Sequence, residues 1–387
     1  MNNFNFRNPT RIIFGKGTIA ELSKYIPKKA KILLTYGGGS IKSNGVYDQV
    51  IKALKKREVL EFGGIEANPD YDTLMKAVKI VRKKRVDFLL AVGGGSVIDG
   101  TKFIAAAAPY SGKKPWNLLT KNKARDLKIA LPLGTVLTLP ATGSEMNRNS
   151  VISRRSTEEK FAFANELVYP VFSILDPETT YSLPAKQVRN GLVDAFVHVM
   201  EQYATYPVGA ALQDRQAEAI LQTLVEISPK AMQIPPNYDA RASFMWAATN
   251  ALNHLIGAGV PTDWATHAIG HELTAFYGLS HAESLAVVMP YMLWYKRDKK
   301  AAKLAGYAQR VWKLREKNPQ DMISLAIEKT AAFFLSLGMP TTLTAYGIDP
   351  EEAAQRIQER FTIRGTVLGE HADILPEDVA AILRMSR

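Results

Sequence analysis

The sequence contains no cysteine, which excludes disulfides and thiolate metal sites, so any bound metal must be held mainly by His, Asp or Glu. No stretch approaches the roughly 20 uninterrupted apolar residues that span a bilayer. The opening MNNFNFRNPTRIIFGKG lacks the apolar core of a signal peptide. A cytoplasmic protein that stays off the membrane is expected. There is no internal repeat and no low-complexity segment, and neither glycine-rich stretch has the G-x-G-x-x-G spacing. The net charge of +12 is densest in Arg82-Lys-Lys-Arg85 and in Lys296, Arg297, Lys299 and Lys300. Neither run has aromatics interleaved, so both read as solvated surface rather than as a nucleic-acid interface.

What is present suffices for two domains with real cores: 387 residues, 47% of them hydrophobic. After a strand around Arg11 to Phe14, Lys31-Ile-Leu-Leu-Thr-Tyr36 is a buried strand running into Gly37-Gly-Gly-Ser40. Asp87-Phe-Leu-Leu-Ala-Val92 repeats the pattern, closed by Gly93-Gly-Gly-Ser96 and followed by Val97, Ile98, Phe103 and Ile104 of a helix. Between them Leu74, Ala77, Val78 and Val81 recur at the spacing of one helix face. This alternation predicts an α/β N-terminal domain with a mostly parallel sheet and helices on both sides. From Leu183-Pro184 onward helical periods dominate, and Asp349-Pro350-Glu351 is an N-cap followed by proline in the first turn. The expected division is residues 1–183 as a dinucleotide-binding α/β domain and 184–387 as an all-helical domain. Glycines at a strand's carboxyl end let a phosphate approach the backbone, and the following helix offers unpaired N–H groups. Such triplets also serve as plain tight turns.

Chemistry concentrates in the second half. Asp194 and His198 are four residues apart in a helical run and share one face. His267, His271 and His281 follow, so four of the six histidines fall near two helical segments. A lone Asp-x-x-x-His pair is ordinarily a helix-surface pair, and His271 reads equally as a hydrogen-bonded core residue. The neighbours, however, are apolar: Val193, Ala195, Val197 and Val199 around the first pair, and Ala265, Ala268 and Ile269 around His267. A carboxylate in such company needs a compensating partner. One carboxylate oxygen and three imidazole nitrogens suit zinc or ferrous iron, with a position left for substrate. With nucleotide loops in one half and these residues in the other, a site in a cleft between domains is expected.

The chain resembles the iron-containing, or group III, alcohol dehydrogenases, and within them the NADPH-dependent aldehyde reductase and butanol dehydrogenase branch. The resemblance rests on Arg11-Ile-Ile-Phe-Gly-Lys-Gly17, Gly93-Gly-Gly-Ser-Val-Ile-Asp99, Leu139-Pro-Ala-Thr-Gly-Ser-Glu145, Leu175-Asp-Pro177 and the set Asp194, His198, His267 and His281. It implies that these last four are the metal ligands, for Fe2+ or Zn2+. It implies that Gly94, Gly95, Ser96 and Asp99 hold the cofactor's pyrophosphate and adjoining ribose, and that Asn68, Thr138, Thr142, Asn147 and Lys160 line the rest of its path. His271 matches a histidine near the nicotinamide that binds no metal. Ala141 stands where many members carry glycine, and Ser280-His281-Ala282 replaces a common Pro-His-Gly.

The expected activity is metal-dependent hydride transfer between NADP(H) and small aldehydes, with His271, a ribose hydroxyl or water relaying the proton. Asn147, Val151, Leu255 and Trp264 suggest an uncharged substrate, Glu145 reads as a structural carboxylate, and the resemblance implies a homodimer. Folds that choose NAD place an acidic side chain near the end of an early strand, where it binds the ribose hydroxyls and repels a 2′-phosphate. Here Tyr36-Gly-Gly-Gly-Ser40 offers small residues, main-chain donors and the Ser40 hydroxyl, whereas NAD-preferring relatives carry aspartate near the position of Gly38. Two rival readings are a metal-dependent lyase or cyclase of the dehydroquinate-synthase type, which regenerates its nucleotide in each turnover, and a non-catalytic nucleotide- or metal-binding protein.

Overall fold

Side chains alternate between the two faces of a strand, and that alternation sets the layers of the first unit. The computed structural model describes all residues, 1–387. Its strands are β1 (Arg11–Phe14), β2 (Lys31–Tyr36), β3 (Glu58–Phe62), β4 (Phe88–Gly94), β5 (Leu133–Leu139), β6 (Asn149–Arg154), β7 (Glu159–Ala164) and β8 (Phe172–Leu175). Six of them form a parallel sheet in the order β1-β8-β5-β4-β2-β3. Ile32, Leu34, Phe88, Leu90 and Val92 face one way, against Ile19, Leu22 and Val50. Leu33, Leu89 and Ala91 face the other, against Leu74, Val78, Phe103 and Ile104.

The helices of this unit are α1 (Ser40–Ser43), α2 (Val46–Leu54), α3 (Tyr71–Lys84), α4 (Gly95–Ala107) and α5 (Asn117–Thr120). Those that carry the two cores, α2 and α3/α4, lie on opposite faces. The order of strands reverses between β2 and β4, which is where open parallel sheets place their ligands, outside the strands' carboxyl ends. Both glycine triplets lie at that point, and the expected α/β class with a parallel sheet is observed. The sequence reading did not contain β6 and β7, a separate antiparallel pair. They turn through Arg155–Thr157 and Glu158 at φ 48°, with none of the Asn-Gly or Asp-Gly signals that announce a hairpin.

The remaining helices are α6 (Ala185–Tyr203), α7 (Ala211–Ala231), α8 (Tyr238–Ala251), α9 (Ala265–Tyr277), α10 (His281–Tyr295), α11 (Ala301–Arg310), α12 (Pro319–Ser336), α13 (Pro350–Arg364) and α14 (Pro376–Met385). By spatial proximity the chain divides into a sheet unit, Arg7–Val188 with Gln233–Asn253, and a helical unit, Met1–Phe6, Arg189–Met232 and His254–Arg387. So α8 completes the sheet unit, where Met245 joins the core. In the helical unit α9, α10, α13 and α14 share a core of Ile269, Leu273, Val288, Ile357, Phe361 and Leu383. One expectation is corrected here. In the basic run at 296–300, Lys296 and Lys300 are only 4% exposed, paired with Asp373 and with Asp263 and Glu370 respectively.

Gly134 pairs across the sheet with Phe172, and a Cβ at Gly134 would lie 2.3 Å from that ring. The ring is buried and fixed by Phe88 at 6.2 Å and Tyr25 at 5.5 Å, so it has no room to retreat. Gly134→Ala is expected to lower stability by about 1–3 kcal/mol, measured by denaturant unfolding. An unchanged midpoint would show that the sheet tolerates the methyl group.

Candidate metal centre and nucleotide cradle

In the helical unit, α6 supplies Asp194 and His198 from one face, α9 supplies His267, and His281 is the first residue of α10. Asp263 Oδ1 accepts a hydrogen bond from Ala265 N–H at 3.0 Å, fixing the entry to α9, and Gly278, in the left-handed region at φ 71°, ends that helix. Ser280 then precedes α10, its N–H bonded to the Glu283 carboxylate at 2.9 Å. The serine that departs from the family's common proline therefore serves as the N-cap that delivers His281.

The ligand atoms of Asp194, His198, His267 and His281 lie within 4.8 Å of one another. His198 Nε2 and His281 Nε2 are each 3.5 Å from Asp194 Oδ1. Donors held about 2.0–2.2 Å from a tetrahedral ion stand roughly 3.3–3.6 Å apart, whereas hydrogen-bonded partners close to about 2.7–3.2 Å. The spacing is that of a coordination shell. Asp194 and His198 are each 3% exposed, so a carboxylate is buried among nitrogen lone pairs, a donor set that suits a divalent cation. Glu201, one turn beyond His198 on α6, accepts from the backbone N–H of His267 and is hydrogen-bonded to its Nδ1. That commits Nδ1 and makes Nε2 the nitrogen available to a metal. Burial, and after it the Asp263 carboxylate, pushes Glu201 well above the ordinary carboxylate range.

His271 lies outside the four-donor set but close to it, with ring centroids 5.6 Å from His281 and 6.3 Å from His267. The Trp264 ring is 5.3 Å from His267 and 6.3 Å from His198. Beneath α9, Lys300 donates to Asp263 Oδ2 at 2.9 Å, to Glu370 at 2.7 and 2.8 Å and to the Ala204 carbonyl at 2.7 Å. Glu201 and Lys300 are the helical unit's supporting residues that sequence reasoning missed. Glu201 had a signal, since it follows Asp194 by seven residues and His198 by three on one face.

In the sheet unit the expected cofactor residues gather around the ends of β2, β4 and β5. A Cβ at Gly38 meets nothing within 4 Å, so this position is open. On β3, Glu61 accepts from Tyr47, Lys42 and Tyr36, donors that hold its carboxyl below the ordinary value. Gly94 is the N-cap of α4 and Gly95 its first residue. A Cβ on Gly95 would stand 2.4 Å from Thr142 and one on Gly94 2.9 Å from Leu139, so these glycines let β5 and its loop close on the helix start. Ser96 Oγ accepts from Asn68 N–H at 3.3 Å, and Asn68 Oδ1 accepts from Lys160 Nζ at 3.0 Å. Thr138 is buried at the end of β5, and Ser40 begins α1.

Two of the expected contacts work inside the protein. Asp99 accepts from Ser144 Oγ at 2.5 Å and from Val151 N–H at 2.9 Å. Asn147 accepts from Lys102 and Asn149 N–H while donating to the Thr142 and Leu252 carbonyls. Glu145, the expected structural carboxylate, accepts from Thr249 at 2.5 Å and is fully buried. Burial raises both Asp99 and Glu145. Lys102, which the sequence reading passed over, lies at the centre of this group at 0% exposure.

The model of the iron-containing alcohol dehydrogenases matches residues 9–177, and that of the C-terminal region of the Fe-containing alcohol dehydrogenase family matches residues 189–386. The NADPH-dependent aldehyde reductase YqhD of Escherichia coli is 58% identical over 375 residues, with 97% of each chain covered. A probable NADH-dependent butanol dehydrogenase of Bacillus subtilis is 42% identical over the full length of both chains. The crystal structure of E. coli YqhD superposes with a TM-score of 0.98 at 56% identity, covering 100% of this chain and 99% of the other. That of an NADH-dependent butanol dehydrogenase from Thermotoga maritima gives 0.93 at 36%, covering 100% and 99%.

Metal content is expected to fall from about one ion per chain to nearly none in His267→Ala and in His281→Ala, since each loses one of four donors. Glu201→Gln should retain the fold but bind metal about 10–100-fold more weakly, read by competition with a chelator. Full loading of either alanine variant would remove that histidine from the ligand set.

Proposed function

The chain belongs to the iron-containing alcohol dehydrogenase family, and on that premise we propose that it transfers hydride between NADPH and small uncharged aldehydes, forming the alcohol. The observation that carries this reading is the convergence of a buried carboxylate and three imidazoles, their ligand atoms within 4.8 Å of one another and two of them 3.5 Å from Asp194. We assign residues 1–183 to dinucleotide binding and 184–387 to metal binding and catalysis, in a cytoplasmic homodimer. Asp194, His198, His267 and His281 hold Fe2+ or Zn2+. Gly38, Ser40, Asn68, Gly94, Gly95, Ser96, Asp99, Thr138, Thr142, Asn147 and Lys160 receive the dinucleotide, Asp99 and Asn147 also shaping the loop between β5 and β6.

When bound, the divalent ion supplies Lewis-acid polarisation of a carbonyl and the reduced nicotinamide supplies hydride. The chain's own residues do the rest. Glu201 fixes the ring of His267, and Trp264 beside His198 and His267 covers the site with apolar surface and limits water. His271, within one ring's reach of His281, passes the proton that the product oxygen needs.

Relatives at 58% and 42% identity carry names with different cofactors, NADPH and NADH, so the preference is argued from local residues. Gly38 leaves open space where an aspartate would repel a 2′-phosphate, and Glu61 is already neutralised by Lys42.

Two outcomes check this reading. NADPH should be consumed one for one with a short aldehyde and more efficiently than NADH. Gly38→Asp should erase or reverse the preference by about tenfold or more; equal kcat/KM with both cofactors in the native protein would refute the preference. Stoichiometric consumption also separates reduction from a lyase that regenerates its nucleotide. His271→Ala should lower kcat by about 10–100-fold and change its pH profile while retaining metal. Loss of metal equal to that of His267→Ala would make His271 a ligand instead.

A further inference from the structure

We propose that Lys102 is a positioning residue for the dinucleotide, its buried ammonium holding the loop 142–149 in the shape that the cofactor's pyrophosphate meets. The proposal rests on the dinucleotide reading above. An ammonium has three protons, and here each has an acceptor: Ser144 Oγ at 2.8 Å, Asn147 Oδ1 at 3.0 Å and the Asn149 carbonyl at 2.8 Å. All three acceptors lie on the stretch from the end of β5 to the first residue of β6. Ser144 passes the connection on, donating to Asp99 at 2.5 Å. Lys102 and Asp99, one turn apart on α4, therefore grip the loop together, and Asp99 also receives Val151 N–H at 2.9 Å. Asn147 carries the hold back to the Thr142 carbonyl at 3.2 Å. Thr142 stands against Gly95, where a Cβ would come within 2.4 Å. The chain of contacts runs without a gap from Lys102 to the N-terminus of α4, where an anion is received.

Stability alone gives little reason for a lysine here. Burial pulls it down to about 8, against the raising effect of Asp99 and then Glu145, and apolar side chains of similar volume commonly replace buried charges without loss of stability. An apolar residue in this place, however, would donate nothing to three acceptors on a glycine-containing loop whose Gly143 has φ 60°. The charged groups facing Lys102 are Asp99 from α4 and Glu145 from the turn Ser144–Met146, and Lys160 on β7 faces Asp99. As pH rises through the value for Lys102, the ammonium becomes an amine with two protons and a lone pair aimed at an acceptor. The loop then loses a tether, and cofactor affinity falls.

The test uses the metal-loaded full chain, its Lys102→Met variant and its Ser144→Ala variant. Dissociation constants for NADPH and NADH are measured by calorimetry, with kcat, KM for each reactant, metal content and thermal midpoint alongside. Lys102→Met should raise the NADPH dissociation constant and KM by about tenfold or more, with kcat at saturating NADPH within about threefold of native and metal retained. The native constant should rise between pH ~7 and ~9.5, and the rise should be absent in Lys102→Met. Ser144→Ala keeps the lysine but cuts its link to Asp99, so a several-fold smaller effect in the same direction is expected. If Lys102→Met fails to fold, Ser144→Ala decides alone. A folded Lys102→Met or, failing that, Ser144→Ala with native affinity overturns the proposal, as does a fall in kcat with affinity unchanged. Should the native chain prefer NADH, the cofactor preference fails while Lys102 is judged on NADH, which carries the same pyrophosphate.

Discussion

Burial of the Asp194 carboxylate is the constraint on which the helical unit depends. It is 3% exposed, and its sequence neighbours Val193 and Ala195 are fully buried apolar residues. A carboxylate so placed is costly unless a positive charge compensates it. The three imidazoles around it answer with lone pairs when neutral. The arrangement is electrostatically incomplete by itself and complete with a divalent ion. Because the donors come from α6, α9 and α10, an ion held by them would tie three helices together, and its binding free energy would become part of the unit's folding free energy.

The sheet unit solves the inverse problem. Its carboxyl end carries backbone N–H groups and small residues, and the side chain buried beneath the loop is a lysine, Lys102. Asp99 and Glu145 offset that cation from within, so the field at the loop surface belongs to the backbone and to Lys160. Glycine serves two purposes here. At Gly95 it permits contact with Thr142, and at Gly38 it leaves space. The two roles respond oppositely to a larger side chain: one position clashes, the other accepts a new charge.

Much of this was legible because short-range spacing carries it. Asp194 and His198 share a face by i,i+4 spacing, and the apolar run Lys31–Tyr36 closed by glycines marks a buried strand. The resemblance drew His267 and His281 into the set, and the donors do converge. What was not legible depends on partners far along the chain. Lys300 looked like one member of a solvated basic run because Asp263 and Glu370, which bury it, stand 37 and 70 residues away. Lys102 left a faint signal, a charge one turn after Asp99 in a helix with Ile98, Phe103, Ile104 and a run of alanines. The β6–β7 hairpin left none, since its turn lacks the usual residues, and sequence cannot show that Ser144 and Val151 bond to the oxygens of Asp99.

The sheet unit is assembled from two separate stretches, Arg7–Val188 and Gln233–Asn253, and this bears on the order of synthesis. A ribosome that has released β8 has not yet supplied α8, and roughly 65 further residues must emerge at about 5–20 per second. For those seconds Glu145 lacks Thr249, Asn147 lacks the Leu252 carbonyl and the core lacks Met245. The nascent sheet therefore waits with an unsealed apolar face and a buried-to-be carboxylate still in water. Its closure is timed by residues that belong, in sequence, to the middle of the helical half.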